Sequence, residues 1–225
     1  MKNKKVIEFI LFSVLAGMVI GLGGLANLLA NNLQPGLEGR IIGGLLFALG
    51  IFAIISFEKR LFTGLACNLS TYKKENIWHL PVSFLANSLG VGITVFLARF
   101  TTIGDIMVAQ STLVIQGKFS VDSWALSALC SSMLCGILIA LSIWSATYAP
   151  KKGLSATLGV MLPIVVFAFC GFDHSVANMI YFFYNGEISL KIVCYIFLTI
   201  LGNLIGCALM PLIIHYREKD KHIEN

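Results

Sequence analysis

The sequence predicts an all-α integral membrane protein with six transmembrane helices, two of them broken, arranged as an inverted three-helix repeat. Three observations carry that prediction. Hydrophobic residues make up 57% of the 225 and charged residues only 12%, with mean hydropathy +0.87; a soluble domain carries about 25% charged residues. The apolar sequence falls into six runs near the ~20 residues a span needs: 6–31, 41–72, 77–98, 122–148, 153–184 and 190–216. Two of these runs, the second and the fifth, are interrupted by charge at corresponding places in the two halves.

The first span follows Met1-Lys2-Asn3-Lys4-Lys5, which resembles the start of a signal peptide. The apolar run behind it is too long for a signal peptide's core and lacks a convincing cleavage site, so it reads as a retained span. Pro35-Gly36 closes it, Pro150 closes the fourth span and Asn185-Gly186 the fifth. Residues 99–121 read as the longest loop, dividing the chain into two sets of three spans. The whole chain, 1–225, reads as a single membrane domain, with one repeat at about 6–98 and the other at about 122–216. Too little polar sequence remains for a soluble domain.

Basic residues set the expected orientation. With both termini inside, the inner segments hold ten of them (Lys2, Lys4, Lys5, Lys73, Lys74, Lys151, Lys152, Arg217, Lys219, Lys221), and the outer segments four (Arg40, Arg99, Lys118, Lys191). The expected location is therefore a cell membrane, crossed several times, with both termini cytoplasmic. Three spans per half put the halves in opposite orientations. A weak echo supports the repeat: Asn87-Ser88-Leu89-Gly90 in span three and Asn203-Leu204-Ile205-Gly206 in span six share Asn-x-x-Gly. Gly17 with Gly21, and Gly202 with Gly206, have the spacing that lets helix backbones approach in lipid.

The net charge of +5 is spread over short loops and tails, without the aromatic-basic stripe of a nucleic-acid surface. The six cysteines lie in apolar segments with no CxxC pair, and Cys130 and Cys135 lack nearby His or acidic partners. They read as small packing residues, and neither a metal nor a cofactor is expected.

The chemistry gathers at the two breaks. The first is Phe57-Glu58-Lys59-Arg60-Leu61-Phe62-Thr63-Gly64, the second Cys170-Gly171-Phe172-Asp173-His174-Ser175. Polar backbone and charge at membrane depth are tolerated where they are buried in protein or line a wet cavity. Matched broken spans in two halves are the usual mark of a transport site. His174, beside Asp173 in an otherwise uncharged stretch, is the sharpest candidate, because imidazole donates, accepts and titrates near neutral pH. Thr63 offers a hydroxyl at the other break. Glu58, Lys59 and Arg60 read mainly as interfacial charge or mutual pairs. Lys118 stands where it would concentrate anions at an entrance or remain a solvated loop lysine. Phe47, Ile51, Phe62 and Phe167 flank the breaks and suit dry constrictions, although isolated residues of this kind are normally core or lipid-facing.

These residues resemble the formate/nitrite transporter family. Gly171-Phe172-Asp173-His174-Ser175-Val176-Ala177-Asn178-Met179 is similar to the family's Gly-Phe-Glu-His-Ser-Val-Ala-Asn-Met, with Asp for Glu. Leu61-Phe62-Thr63-Gly64 matches the first-break motif, Ala16 to Gly24 resembles the first-span motif, and Gly202 to Gly206 resembles the last-span motif. The resemblance implies an aquaporin-like fold and a homopentamer with one pore per protomer. It further implies a central pore histidine at His174 partnered by Thr63, constrictions at Phe47, Ile51, Phe62 and Phe167, and a vestibule lysine near Lys118. Three positions depart from the family pattern: Arg60 where an acid is usual, Gly136 where span four has asparagine, and Leu65 where asparagine often follows Thr-Gly.

The function expected is a channel or proton-coupled transporter for small monovalent weak-acid anions such as formate, nitrite or hydrosulfide, crossing largely as the neutral acid. Its partners would be those anions, protons and the lipid bilayer, with no nucleic acid. An enzyme is not expected. The competing readings are a membrane-embedded enzyme using His174 and Asp173, for which no nucleophile motif or metal set is present, and a structural membrane subunit. A water or glycerol pore is disfavoured because neither break contains Asn-Pro-Ala.

Overall fold

The computed structural model describes residues 2–56, 60–68, 76–148 and 154–221. Phe57, Glu58, Lys59, Lys73, Lys74, Pro150, Lys151 and Lys152 lie outside them, so the expectations placed on those residues have no structural account.

All the regular structure among the described residues is helical. Helix α1 is Lys2–Leu33, α2 Leu37–Ser56, α3 Phe62–Ala66, α4 His79–Arg99, α5 Gly104–Lys118, α6 Trp124–Tyr148, α7 Leu154–Cys170, α8 Ser175–Asn185 and α9 Leu190–Lys221. Five of them (α1, α2, α4, α6, α9) are long and apolar enough to cross a membrane, and α7 with α8, bent by 42° at the second break, makes a sixth span. The short helix α3 resumes the chain after the first break. Both interruptions fall where the charge pattern places them.

The segment 99–121 is not a loop. It contains α5, a 15-residue helix about 22 Å long. Its composition hid it: Asp105, Gln110, Ser111, Thr112, Gln116 and Lys118 make it too polar for a span. Yet Asp105 in its first turn and Lys118 in its last complement the helix dipole. Lys118 is consequently the final residue of a helix packed against α8 and α1, rather than a solvated loop residue.

The two halves pack alike. Helix α1 lies against α4 and α2, while α6 lies against α9 and α7, and α2 meets α7 where the halves join. Lipid gives no hydrophobic reason for helices to associate, so close backbone approach carries these contacts. A Cβ at Gly17 would run into the Asn87 carbonyl, and one at Gly90 into the Val14 carbonyl. In the second half a Cβ at Gly136 would lie 2.7 Å from the Asn203 carbonyl, and one at Gly206 would strike the Met133 carbonyl. Gly136 is therefore a packing position, the counterpart of Gly17.

Polarity is arranged inside out. Leu11, Leu22, Leu85, Leu97, Phe100 and Leu126 are exposed, whereas Thr63, Asn87, Asp173, His174, Asn178 and Asn203 are buried. In a bilayer the outside is apolar, and the polar groups gather where the broken helices leave backbone unpaired.

Candidate transport pathway

Each broken helix restarts with orphan N–H groups, which must be satisfied inside the protein. One asparagine per half does this for the first of them. In the first half, Phe62 N–H donates to Asn87 Oδ1 (2.8 Å), and Asn87 Nδ2 donates to the carbonyls of Ser13 (2.7 Å) and Arg60 (2.9 Å). In the second, Ser175 N–H donates to Asn203 Oδ1 (2.8 Å), and Asn203 Nδ2 donates to the carbonyls of Ser132 (2.8 Å) and Asp173 (2.9 Å). The two sets match partner by partner: Asn87 with Asn203, Phe62 with Ser175, Ser13 with Ser132, Arg60 with Asp173. The Asn-x-x-Gly echo is thus the working part of the repeat, with the asparagine holding the break and the glycine admitting the neighbouring helix.

This correspondence places His174 where the first half has Leu61, so the two halves are chemically unequal at the centre. His174 is the N-cap of α8: Ala177 N–H donates to its Nδ1 (3.1 Å). A nitrogen accepting a hydrogen bond carries its lone pair, so the neutral ring holds its proton on Nε2. Nε2 lies 3.0 Å from Thr63 Oγ1, and both side chains are buried. The structure therefore joins the two sequence-predicted central residues, one from each break. Nε2–H donates and Thr63 Oγ1 accepts.

Of two cavities nearby, one is lined by His174 and the other by Leu61 and Gly64, the neighbours of Thr63. Helix α2 gives Arg40 and Phe47 to a cavity of about 270 Å³, and Ile51, Ile54 and Ile55 to another of about 290 Å³. The two are therefore stacked along its axis. The first, called here the Lys118 mouth, reaches His174 and is rich in amides: Asn27, Asn31, Gln110 and Asn178. The second, the Arg60 mouth, is bounded by Leu61, Ile143 and Ile164, with Arg60, Asn68 and Ser142 as its polar residues. Between the mouths the wall is apolar. Phe47 and Phe167 meet edge to face with centroids 5.6 Å apart, Phe167 stacks on the His174 ring at 5.9 Å, and Ile51 is buried beside them. Phe62 lies apart from this line. Its ring packs on Phe84 of α4 (5.5 Å), and its neighbour Leu61 lines the Arg60 mouth instead.

Asp173 is close to His174 in sequence but turns away from it. Its Oδ1 is paired with Lys118 Nζ and accepts from Asn178 Nδ2 (2.9 Å), its Oδ2 accepts from Tyr195 Oη (2.9 Å), and its backbone N–H donates to Ser131 Oγ (2.9 Å). Lys118 Nζ also lies 5.4 Å from the Tyr181 ring centre and 5.5 Å from that of Tyr195. Lys118 thus faces the cavity with its charge compensated from behind. Sequence reasoning missed Ser131, Tyr181 and Tyr195, which carry no local signal. All six cysteines are free thiols.

The comparisons with known proteins agree with this fold. The model of the formate/nitrite transporter family matches residues 2–217. The chain is 25% identical over 152 residues to the formate channel FocA of Haemophilus influenzae, an alignment covering 62% of this chain and 52% of that one. It is 27% identical over 185 residues to the nitrite transporter NirC of Salmonella typhimurium, covering 76% and 65%. It is 24% identical over 235 residues to the uncharacterized transporter YrhG of Bacillus subtilis, covering 95% and 87%. The chain therefore spans about half the length of the FocA relative and just under two thirds of the NirC one. Among solved structures, a pentameric formate channel with formate bound superposes with a TM-score of 0.80 at 20% identity, covering 97% of this chain and 99% of that one. A second, an FNT family ion channel, gives 0.77 at 23% identity, covering 96% and 92%. At those identities the likeness establishes the fold, and the family model extends over nearly the whole sequence. The chain belongs to the formate/nitrite transporter family.

Proposed function

We propose that the chain is a channel or proton-coupled transporter for small monovalent anions of weak acids, formate, nitrite and hydrosulfide among them, which cross largely as the neutral acid. The observation that carries this reading is the Thr63–His174 hydrogen bond, set near two cavities and an apolar aromatic wall. A bare anion in that wall loses its water and pays several kcal/mol or more. Protonating a carboxylate of pKa about 4 at pH 7 costs only about 4 kcal/mol. The neutral acid is the cheaper passenger.

The chain's own residues then have distinct parts. Arg40 and Lys118 draw the anion into one mouth. Phe47, Ile51 and Phe167, with Leu61 at the first break, exclude water from the centre. His174 acts as a fixed neutral donor, because Ala177 occupies its Nδ1. With Nε2–H given to Thr63 Oγ1, the threonine's own hydrogen is available to a substrate oxygen. The substrate's proton comes from water at the mouth as the dielectric falls. Asp173 holds Lys118 in place. No chemical change of the substrate is needed, and the protein acts as a transporter rather than an enzyme.

We read the assembly as a homopentamer in a cell membrane, one pathway per protomer, with both termini cytoplasmic. The ten-to-four asymmetry of basic residues supports the orientation. The exposed apolar helix faces support burial in lipid and against neighbouring protomers. The test is flux of a panel (formate, nitrite, hydrosulfide, acetate and lactate) into proteoliposomes. Uptake of the smaller acids without chemical conversion supports the reading; no flux of any of them, or turnover of one, refutes it.

A further inference from the structure

The Arg60 mouth holds a charge that the transport reading leaves unused. At the Lys118 mouth the lysine is matched by Asp173. At the Arg60 mouth no carboxylate among the described residues pairs with Arg60, which is exposed and borders the cavity. The rest of that cavity is mostly aliphatic: Ile51, Ile54, Ile55, Leu61, Ile143 and Ile164. Ser142 offers little competition, since its hydroxyl already donates to the Val160 carbonyl (2.7 Å).

Arg60 is also held in position. Asn87 Nδ2 donates to its carbonyl (2.9 Å), while Asn87 Oδ1 accepts from Phe62 N–H (2.8 Å). One asparagine thus pins the backbone on both sides of Leu61. The guanidinium springs from a fixed point at the edge of the cavity.

We propose that Arg60 builds a second anion-binding site at this mouth, for small organic monoanions whose charged head meets the guanidinium and whose apolar body lies against the isoleucines. Three physical facts lead there. A guanidinium presents a planar fork that matches carboxylate or sulfonate oxygens. Low-dielectric walls focus the field of a charge into a cleft. The volume of about 290 Å³ is many times the ~30 Å³ share of one water, so it admits an anion of several heavy atoms. Anions small enough to pass the centre pause there on their way; a larger one stays and blocks. The proposal rests on the transport reading only in treating this cavity as part of the pathway.

The probe is benzenesulfonate, permanently ionised and therefore barred from crossing as a neutral acid. Formate flux is measured in right-side-out and inverted vesicles, with benzenesulfonate added to one face at a time. Block is expected from the Arg60 face. Arg60→Ala should raise the half-blocking concentration there at least tenfold, Arg60→Lys about threefold, with block from the opposite face unchanged. Equal block of wild type and Arg60→Ala from the Arg60 face, loss of block equally on both faces, or no block of wild type from that face overturns the proposal. Binding is also read without flux, as thermal stabilisation of the purified, assembled protein by benzenesulfonate. Stabilisation that Arg60→Ala and Arg60→Gln lose supports the site even if formate is not a substrate. Stabilisation equal in all three proteins, or none in wild type, refutes it, whereas missing formate flux alone counts only against the transport reading.

Discussion

Replacing Asn203 with leucine tests the structural logic of the breaks. Leucine is close to asparagine in size but neither donates nor accepts. Asn203 bonds three buried backbone groups: Ser175 N–H, the Asp173 carbonyl and the Ser132 carbonyl. Ser132 lies inside α6, so its carbonyl keeps its helical partner. Ser175 N–H and the Asp173 carbonyl have no such reserve, because they sit at the interruption itself. A buried polar group left unpaired costs about 1–3 kcal/mol, while polar contacts within membranes average only ~0.6 kcal/mol because alternative partners exist. Two orphaned groups at the lower part of the first range give a loss of about 2–4 kcal/mol. At roughly 2–4 °C per kcal/mol for a chain of this size, the assembled protein in detergent should melt roughly 5–15 °C lower. Asn87→Leu should do the same in the other half, where the exposed groups are Phe62 N–H and the Arg60 carbonyl. Heating followed by size-exclusion chromatography reads the melting. A shift below about 2 °C for both variants would refute the claim that these asparagines hold the broken helices.

Further outcomes follow from the same geometry. His174→Asn keeps an N-cap acceptor for Ala177 N–H but is too short to serve Thr63. The oligomer should therefore assemble and melt within a few degrees of wild type while flux falls and selectivity changes; wild-type rates and selectivity would remove the pair from the mechanism. Lys118→Met and Asp173→Asn should each destabilise strongly, since either leaves a buried partner unmatched, and a double-mutant cycle on melting should show coupling of at least about 1 kcal/mol; additivity within ~0.5 kcal/mol would mean that the pair is not a unit. Gly17→Ala should lower melting or abolish assembly, because its Cβ would meet the Asn87 carbonyl, while Gly117→Ala, with open space around it, should be neutral or stabilising; equal behaviour of the two would contradict the close approach of α1 and α4. A cysteine placed at Ser120 should react with an impermeant reagent from outside intact cells, and one at Lys151 should not; the reverse pattern would invert the orientation.

Much of the fold was legible because a bilayer makes one demand that sequence records directly, a run of apolar residues long enough to cross. The breaks were legible for the opposite reason, since charge within such a run has to be housed. Helix α5 escaped because it does not cross, and its polar residues imitate a loop. At the site, His174 and Thr63 stood out as polar residues at the interruptions. The partners of Asp173 did not: Lys118 is 55 residues away and Tyr195 22, on helices that only the fold brings together. Phe62 illustrates the remaining ambiguity. Two adjacent apolar residues sit at the first break, and only the helix geometry decides that Leu61 lines the cavity while Phe62 packs on α4. Asn87 and Asn203 were visible as an echo between halves, but their task became clear only with the orphan N–H groups they satisfy.

The central claim is that the substrate crosses as a neutral acid, and simultaneous measurement of flux and current across pH tests it most directly. Reconstituted protein is given a fixed total formate gradient between pH 7.5 and 5, with uptake and membrane current recorded together. The neutral-acid route predicts uptake rising by up to about tenfold per unit as pH falls through this range, in proportion to the protonated fraction above a carboxylate pKa near 4, with little net charge moved. Uptake independent of pH, accompanied by a current equal to the anion flux, would contradict it.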